Sequence, residues 1–158
     1  MLLTGLLPDI TTDPAIETAI DSVEAGRSGT IVAPVGIRPP LLAAVASRAA
    51  TPLVVLTATG RDAESLTNAL ASWIPGVAML PAWETLPHER LSPQVDTMAR
   101  RIAVLRRLVH PIKGDDSAGP MSVLVVPIRA FLQPIISGLA DLEPVRVRTG
   151  DILDLTET

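Results

Sequence analysis

Apolar residues come in two rhythms along this chain, and the alternation between them predicts its architecture. Residues 29–36, 53–58, 77–80 and 121–126 are short, nearly continuous apolar runs, the pattern of strands buried on both faces of a sheet. Between the runs the period lengthens to three or four. Ile16, Ala19, Ile20 and Val23 mark a helix that starts at Asp13-Pro14, a capping residue followed by a first-turn proline, and stops at Gly26. Residues 39–50 read as a second helix opening on Pro39-Pro40. Residues 63–73 read as a third, with Leu66, Ala69, Leu70 and Trp73 on one stripe and Pro75-Gly76 ending it. Ser92-Pro93 predicts the start of the longest helix. In it Val95, Met98, Ile102, Leu105 and Val109 fall within about 80° of one another, a buried stripe. On that reading Arg100 and Arg107 project from the opposite side, and Arg101 and Arg106 from the flanks. A short helix over 127–137, distorted by Pro134, turns Phe131 and Leu132 inward. Strand, helix, strand, helix with short connections gives the fold class: α/β, a parallel sheet with flanking helices.

Residues 113–120 form a polar loop. Residues 145–154 alternate as a strand does, and nothing after them closes a unit. The expected organisation is therefore one domain over 1–144, with 145–158 starting a second domain or forming a connecting strand. The opening residues, Met1 to Pro8, are apolar but lack a basic n-region and a small-residue cleavage site. They read as a packing segment.

Composition narrows the class. A length of 158 residues is enough for a substantial core, and 47% apolar with only 2% aromatic suits an aliphatic α/β interior. Mean hydropathy is high, +0.39, yet no apolar run approaches the length a bilayer span needs. Zero cysteines exclude disulfides, thiol nucleophiles and thiolate metal sites, and fit a cytoplasmic chain. A net charge of −4 gives no global attraction to nucleic acid, so DNA binding would need a local basic patch. Charge is uneven: Asp9, Asp13, Glu17, Asp21 and Glu24 crowd the first helix, and Arg100, Arg101, Arg106, Arg107 and Lys113 a later stretch.

Candidate chemistry lies in two places. The turn between the first predicted strand and the helix at 39–50 is where a phosphate-binding loop would sit. Such a loop needs glycines and free N–H groups, a lysine and a hydroxyl. Here it reads Ala33, Pro34, Val35, Gly36, Ile37, Arg38, Pro39, Pro40. Three prolines remove three donors, and the lysine and hydroxyl positions are both proline. The loop is degenerate, and no cofactor is expected. The second place runs from Leu80 to Pro93 and holds Trp83, Glu84, His88 and Glu89. One histidine and two carboxylates fall short of a zinc set, and no Gly-x-Ser-x-Gly elbow accompanies them. No catalytic and no metal-binding residue is assigned. The arginines of the long helix read either as a docking face for phosphate or an acidic partner, or as a solvated surface matched to the helix dipole.

The run Leu80-Pro81-Ala82-Trp83-Glu84-Thr85-Leu86-Pro87-His88-Glu89-Arg90-Leu91-Ser92-Pro93, with Val95-Asp96-Thr97 and residues 101–108, resembles the N-terminal region of the bacterial transcription-repair coupling factors, actinobacterial type. Residues 54–61 and 129–134 resemble the same family. The resemblance implies a RecA-like first domain, similar to the UvrB core, whose phosphate loop is lost. It implies that the whole protein is a cytoplasmic, ATP-driven DNA translocase that displaces stalled RNA polymerase and recruits UvrA. UvrA would dock on a second domain starting near Val145. Polymerase and DNA would be held by domains beyond this chain.

The expected function is thus a non-catalytic scaffold and regulatory domain, packed against the rest of its polypeptide. Candidate contact residues are Trp83, Glu84, His88, Glu89, Arg90, Arg100 and Arg107. An incomplete sheet or an exposed apolar patch should mark where that packing occurs. The rival is a self-standing α/β enzyme binding a nucleotide or small molecule at the C-terminal ends of its strands.

Overall fold

The computed structural model describes residues 2–84, 92–115 and 117–143. In chain order the elements are α1 (Leu7–Thr11), α2 (Pro14–Glu24), α3 (Arg38–Arg48), β1 (Leu53–Thr57), α4 (Gly60–Leu70), β2 (Val77–Met79), α5 (Val95–Val109), β3 (Val123–Pro127) and α6 (Ile128–Phe131). Among the described residues three strands form one sheet in the order β1-β3-β2, all parallel. Leu53 pairs with Val123, and Val77 pairs with the same Val123 from the other side. The last strand in the chain is therefore the central one, and all five of its residues are buried.

Alternation along β3 divides the interior in two. Val123 and Val125 face a core built from α1, α2, α3 and α4, where Ile20, Ala43, Ala44, Ala63 and Leu70 are buried. Leu124 and Val126 face a smaller core with Ala78, Leu80, Val104, Met121 and Ala130. Burying one such aliphatic side chain contributes about 1.5–3 kcal/mol, so the larger cluster dominates. Its alanines on α3 let that helix lie close to the sheet.

Local signals explain most boundaries. Asp13 caps α2 by accepting from the N–H groups of Ala15 (2.8 Å) and Ile16 (3.3 Å), and Gly26 past its end takes φ +65°. Thr59 caps α4: its hydroxyl accepts from the Asp62 N–H at 3.1 Å and donates to the Asp62 carboxylate at 2.8 Å. That reciprocal cap starts α4 at Gly60, three residues before the predicted start. The N-terminal segment does pack, with Leu7 buried and the Leu3 N–H bonded to the Ser72 carbonyl at 2.7 Å.

Four expectations are corrected. No strand forms over 29–34, and Val35–Ile37 is a single 3-10 turn closed by the Ile37 N–H on the Pro34 carbonyl at 3.0 Å. A strand exists only by pairing, and no backbone bond ties 29–34 to another described strand; Val32 is 95% exposed. Secondly, Ser92 does not start α5. The helix begins at Val95 after Gln94, whose side chain makes no cap bond. Thirdly, the buried side of α5 carries Thr97, Arg101, Val104 and Leu105. That face lies about a quarter-turn from the predicted stripe at 100° per residue. Of the stripe only Leu105 is buried, while Val95, Met98 and Val109 are exposed. Finally, Phe131 and Leu132 point outward, because α6 is one turn long and turns only Ala130 to the core. The tail predicted as a strand from residue 145 lies outside the described residues.

One sheet face is only partly covered. Val54 and Leu56 stand in register with Leu124 and Val126, on the side that carries α5 and α6. They remain 52% and 48% exposed. The outer edge of β1 has no strand partner among the described residues.

Candidate functional site

The stretch after β2 runs along the N-terminal half of α5, and its placement follows from a few polar bonds. The Leu80 N–H continues the sheet ladder to the Val125 carbonyl at 3.0 Å. Past it, the Trp83 N–H donates to Gln133 Oε1 at 2.8 Å, and Gln133 Nε2 donates back to the Trp83 carbonyl at 3.2 Å. One amide side chain thus occupies both backbone groups of Trp83, as a neighbouring strand would. Arg129 Nη2 donates to the Glu84 carbonyl at 3.2 Å. Both partners sit just after β3, so the central strand and this connector are fixed to each other.

From the other side α5 supplies Thr97 and Arg101, four residues apart and hence on one face. The Thr97 hydroxyl donates to Glu84 Oε1. That bond, first, and the backbone N–H groups of Glu84 and Gln94 hold the Glu84 carboxyl below its ordinary value; the Arg129 charge helps and burial opposes. Glu84 is therefore an anion at the first turn of α5, where the unpaired N–H groups and the positive end of the dipole favour one. It does from outside the helix what Ser92 was expected to do from within, which explains the later start.

Arg101 lies beneath the Trp83 ring, with its Cζ 4.5 Å from the ring centroid. Its Nη1 donates to the Pro81 carbonyl at 2.6 Å. The residue is 0% exposed, and burial lowers its guanidinium from the ordinary value. Its Nε and Nη2 have no partner among the described residues. Leaving a buried donor unpaired costs about 1–3 kcal/mol, more for a charged group. Stacking on an aromatic face returns part of that.

The candidate contact residues fall into different settings. Trp83 is half-buried and clamped on both backbone groups, whereas Glu84 is exposed and bonded to Thr97. His88, Glu89 and Arg90 lie outside the described residues. Arg100 is exposed and paired with Asp96 at 2.9 Å across one helical turn. Arg107 is half-buried, its Nε donating to the Gly119 carbonyl at 2.9 Å, so it braces the loop before β3. Arg106 and His110 hold residues 139–143: Arg106 Nη1 donates to the Leu142 carbonyl at 3.0 Å, and His110 Nε2 lies 2.7 Å from Asp141 Oδ1. The sequence pattern missed Thr97, Arg101, Arg129 and Gln133. The four-residue spacing of Thr97 and Arg101 was visible, but their polarity pointed them at solvent. Nothing in the sequence ties Gln133 to a backbone fifty residues away.

The degenerate turn sits elsewhere, at the C-terminal end of β1. Val35, Arg38 and Pro39 line a cavity of about 620 Å³ with Leu56, Thr57, Ala58 and Asp62. Its walls are largely aliphatic, from Ile31, Leu41, Leu42, Val55 and Leu66. Pro34, Pro39 and Pro40 offer no N–H to a phosphate. Among the described residues no group of three or more histidine or acidic side chains is placed to hold a metal ion, and no helix is long and apolar enough to cross a membrane.

No family model matches the chain. It is similar to proteins named transcription-repair-coupling factor from Mycobacterium bovis and Mycobacterium tuberculosis, each 46% identical over 125 residues, or 77% of this chain and 10% of the relative. It is also similar to the protein of that name from Escherichia coli, 29% identical over 96 residues, or 60% of this chain and 8% of the relative. The chain spans about a tenth of the length of these curated relatives.

Proposed function

This chain belongs with the N-terminal region of the transcription-repair-coupling factors, and from that premise we propose that it is a non-catalytic scaffold and regulatory unit in a protein of that family. The observation that carries the reading is the turn over residues 33–40. It stands where a RecA-like domain would place its phosphate loop, but has proline at 34, 39 and 40 and neither lysine nor hydroxyl. The chain therefore uses no nucleotide cofactor of its own. ATP-driven movement on DNA and displacement of stalled RNA polymerase belong to the remaining nine-tenths of a family-length polypeptide, and the family works in the cytoplasm.

Two uncovered apolar surfaces support the scaffold role. One is the outer face of β1 with Val54 and Leu56; the other is the α5 stripe with Val95, Met98 and Val109. Aliphatic surface of this kind, next to an unpaired strand edge, suits packing against further parts of the same polypeptide. UvrA is recruited by the unit that follows residue 144, and this chain positions that unit.

A second reading rests on the cavity beside β1. Ligands of open α/β sheets bind beyond the C-terminal ends of the strands, and this cavity lies there. Calorimetry with ATP and magnesium separates the two readings. The scaffold gives no binding heat, and micromolar binding would install the enzyme reading. A pull-down with purified UvrA then compares this chain with one lengthened by the next segment of a family protein. Capture is expected only with the longer chain; tight capture by the short one would misplace the docking surface.

A further inference from the structure

The unpaired nitrogens of Arg101 are Nε and Nη2, while Nη1 is occupied by the Pro81 carbonyl. Those two N–H groups lie side by side on one edge of the guanidinium and point in parallel. That edge matches the two oxygens of a carboxylate, the pairing for which arginine's planar geometry is pre-organised. A carbonyl oxygen or a single hydroxyl fills only one of the two.

The described carboxylates around α5 are committed elsewhere. Glu84 accepts from Thr97, and Asp96 pairs with Arg100 at 2.9 Å. The guanidinium is fully buried and held from two sides, by the Trp83 ring and the Pro81 carbonyl, so its free edge has a fixed direction. A buried cation with a pre-aimed, empty, two-donor edge is a receptor lacking its anion.

We propose that the Nε–Nη2 edge of Arg101 is a receptor site for one carboxylate, the side chain of an aspartate or glutamate on a partner segment that docks over Trp83. Trp83, half-buried, forms the outer cover of the guanidinium and marks where the acid enters. The assignment stands on Arg101 and does not depend on the scaffold reading.

The test uses the 158-residue chain labelled with nitrogen-15 in its arginines, with sodium formate as the smallest carboxylate probe. Sodium chloride at equal ionic strength serves as the control and inorganic phosphate as a second anion. The Arg101 Nε–H resonance is assigned by its loss in Arg101→Lys. If that variant does not fold, it is assigned by the change in Trp83→Leu, which removes the ring beneath it. Formate should move this resonance downfield saturably and raise the urea midpoint of the wild type, and leave the midpoint of Arg101→Lys or Trp83→Leu less affected. A resonance that formate does not move overturns the proposal. So does one already shifted downfield before any addition, which would mean that the chain fills the edge itself. A saturable response to phosphate without one to formate overturns the carboxylate assignment.

Discussion

The hydroxyl of Thr97 donates to the carboxylate of Glu84, so the longest helix is capped by a residue thirteen positions before it in the chain. The bond joins the most distinctive stretch of the sequence to the first turn of α5. Because Glu84 titrates with its carboxyl held below the ordinary value, its contribution has a definite sign. The stabilisation is fully present above the model value of 4.5 and is lost as pH falls through the lower folded value. Thermal unfolding of wild type and Glu84→Gln should therefore differ at pH 7 and converge at acid pH. A gap that stays constant from pH 7 to pH 3 would show that the pair does not titrate as described.

Helix starts provide a paired comparison. Asp13 caps α2 through two backbone N–H groups, and Asp13→Ala should cost about 1 kcal/mol of unfolding free energy. Ser92 lies three residues before α5 and should be replaceable by alanine within about 0.5 kcal/mol. Urea titrations of the two variants should separate clearly; equal losses would restore Ser92 as a cap.

Gln133 holds both backbone groups of Trp83, at 2.8 and 3.2 Å. Gln133→Ala removes two hydrogen bonds of about 1 kcal/mol each and should release the indole from its fixed position. In a Trp73→Phe background Trp83 is the remaining tryptophan, so its fluorescence should move to longer wavelength. An unchanged emission maximum in a destabilised variant would mean that other contacts fix the ring.

The two sides of the sheet should answer differently to substitution. Val125 is fully buried, and Val125→Ala should cost about 1–3 kcal/mol. Leu56 is half exposed beside an unpaired edge, so Leu56→Glu should change stability by little and reduce self-association of the isolated chain. Sedimentation equilibrium at increasing concentration checks this. A wild type that stays monomeric throughout would remove the apolar face as an adhesive surface.

Much of this fold was legible where one residue type has one physical use. Asp13-Pro14 and Gly26 bracket α2, and the runs at 53–57, 77–79 and 123–127 are strands because buried parallel strands carry little polarity. Legibility failed where pairing decides. Residues 29–34 look like a strand but have no partner strand among the described residues, and propensity does not supply one. It failed again on α5, whose apolar stripe faces outward while an arginine and a threonine face in. The periodicity of that helix is sound; the sheet and the Trp83 connector select another of its faces. The candidate site was half visible. Trp83 and Glu84 stood out by composition, while Arg101 and Gln133, which hold that stretch in place, are ordinary residues that only the tertiary structure brings to it.

The order β1-β3-β2 also sets a sequence of events during synthesis. β1 and β2 are never neighbours; each bonds only to β3. Until residues 123–127 are available, no two strands of this sheet can pair, however long β1 has been exposed. Both interior clusters are likewise joined through alternate residues of β3. The polypeptide therefore carries its helices and two unpaired strands as separate local pieces, and a single late segment of five residues converts them into one cooperative body.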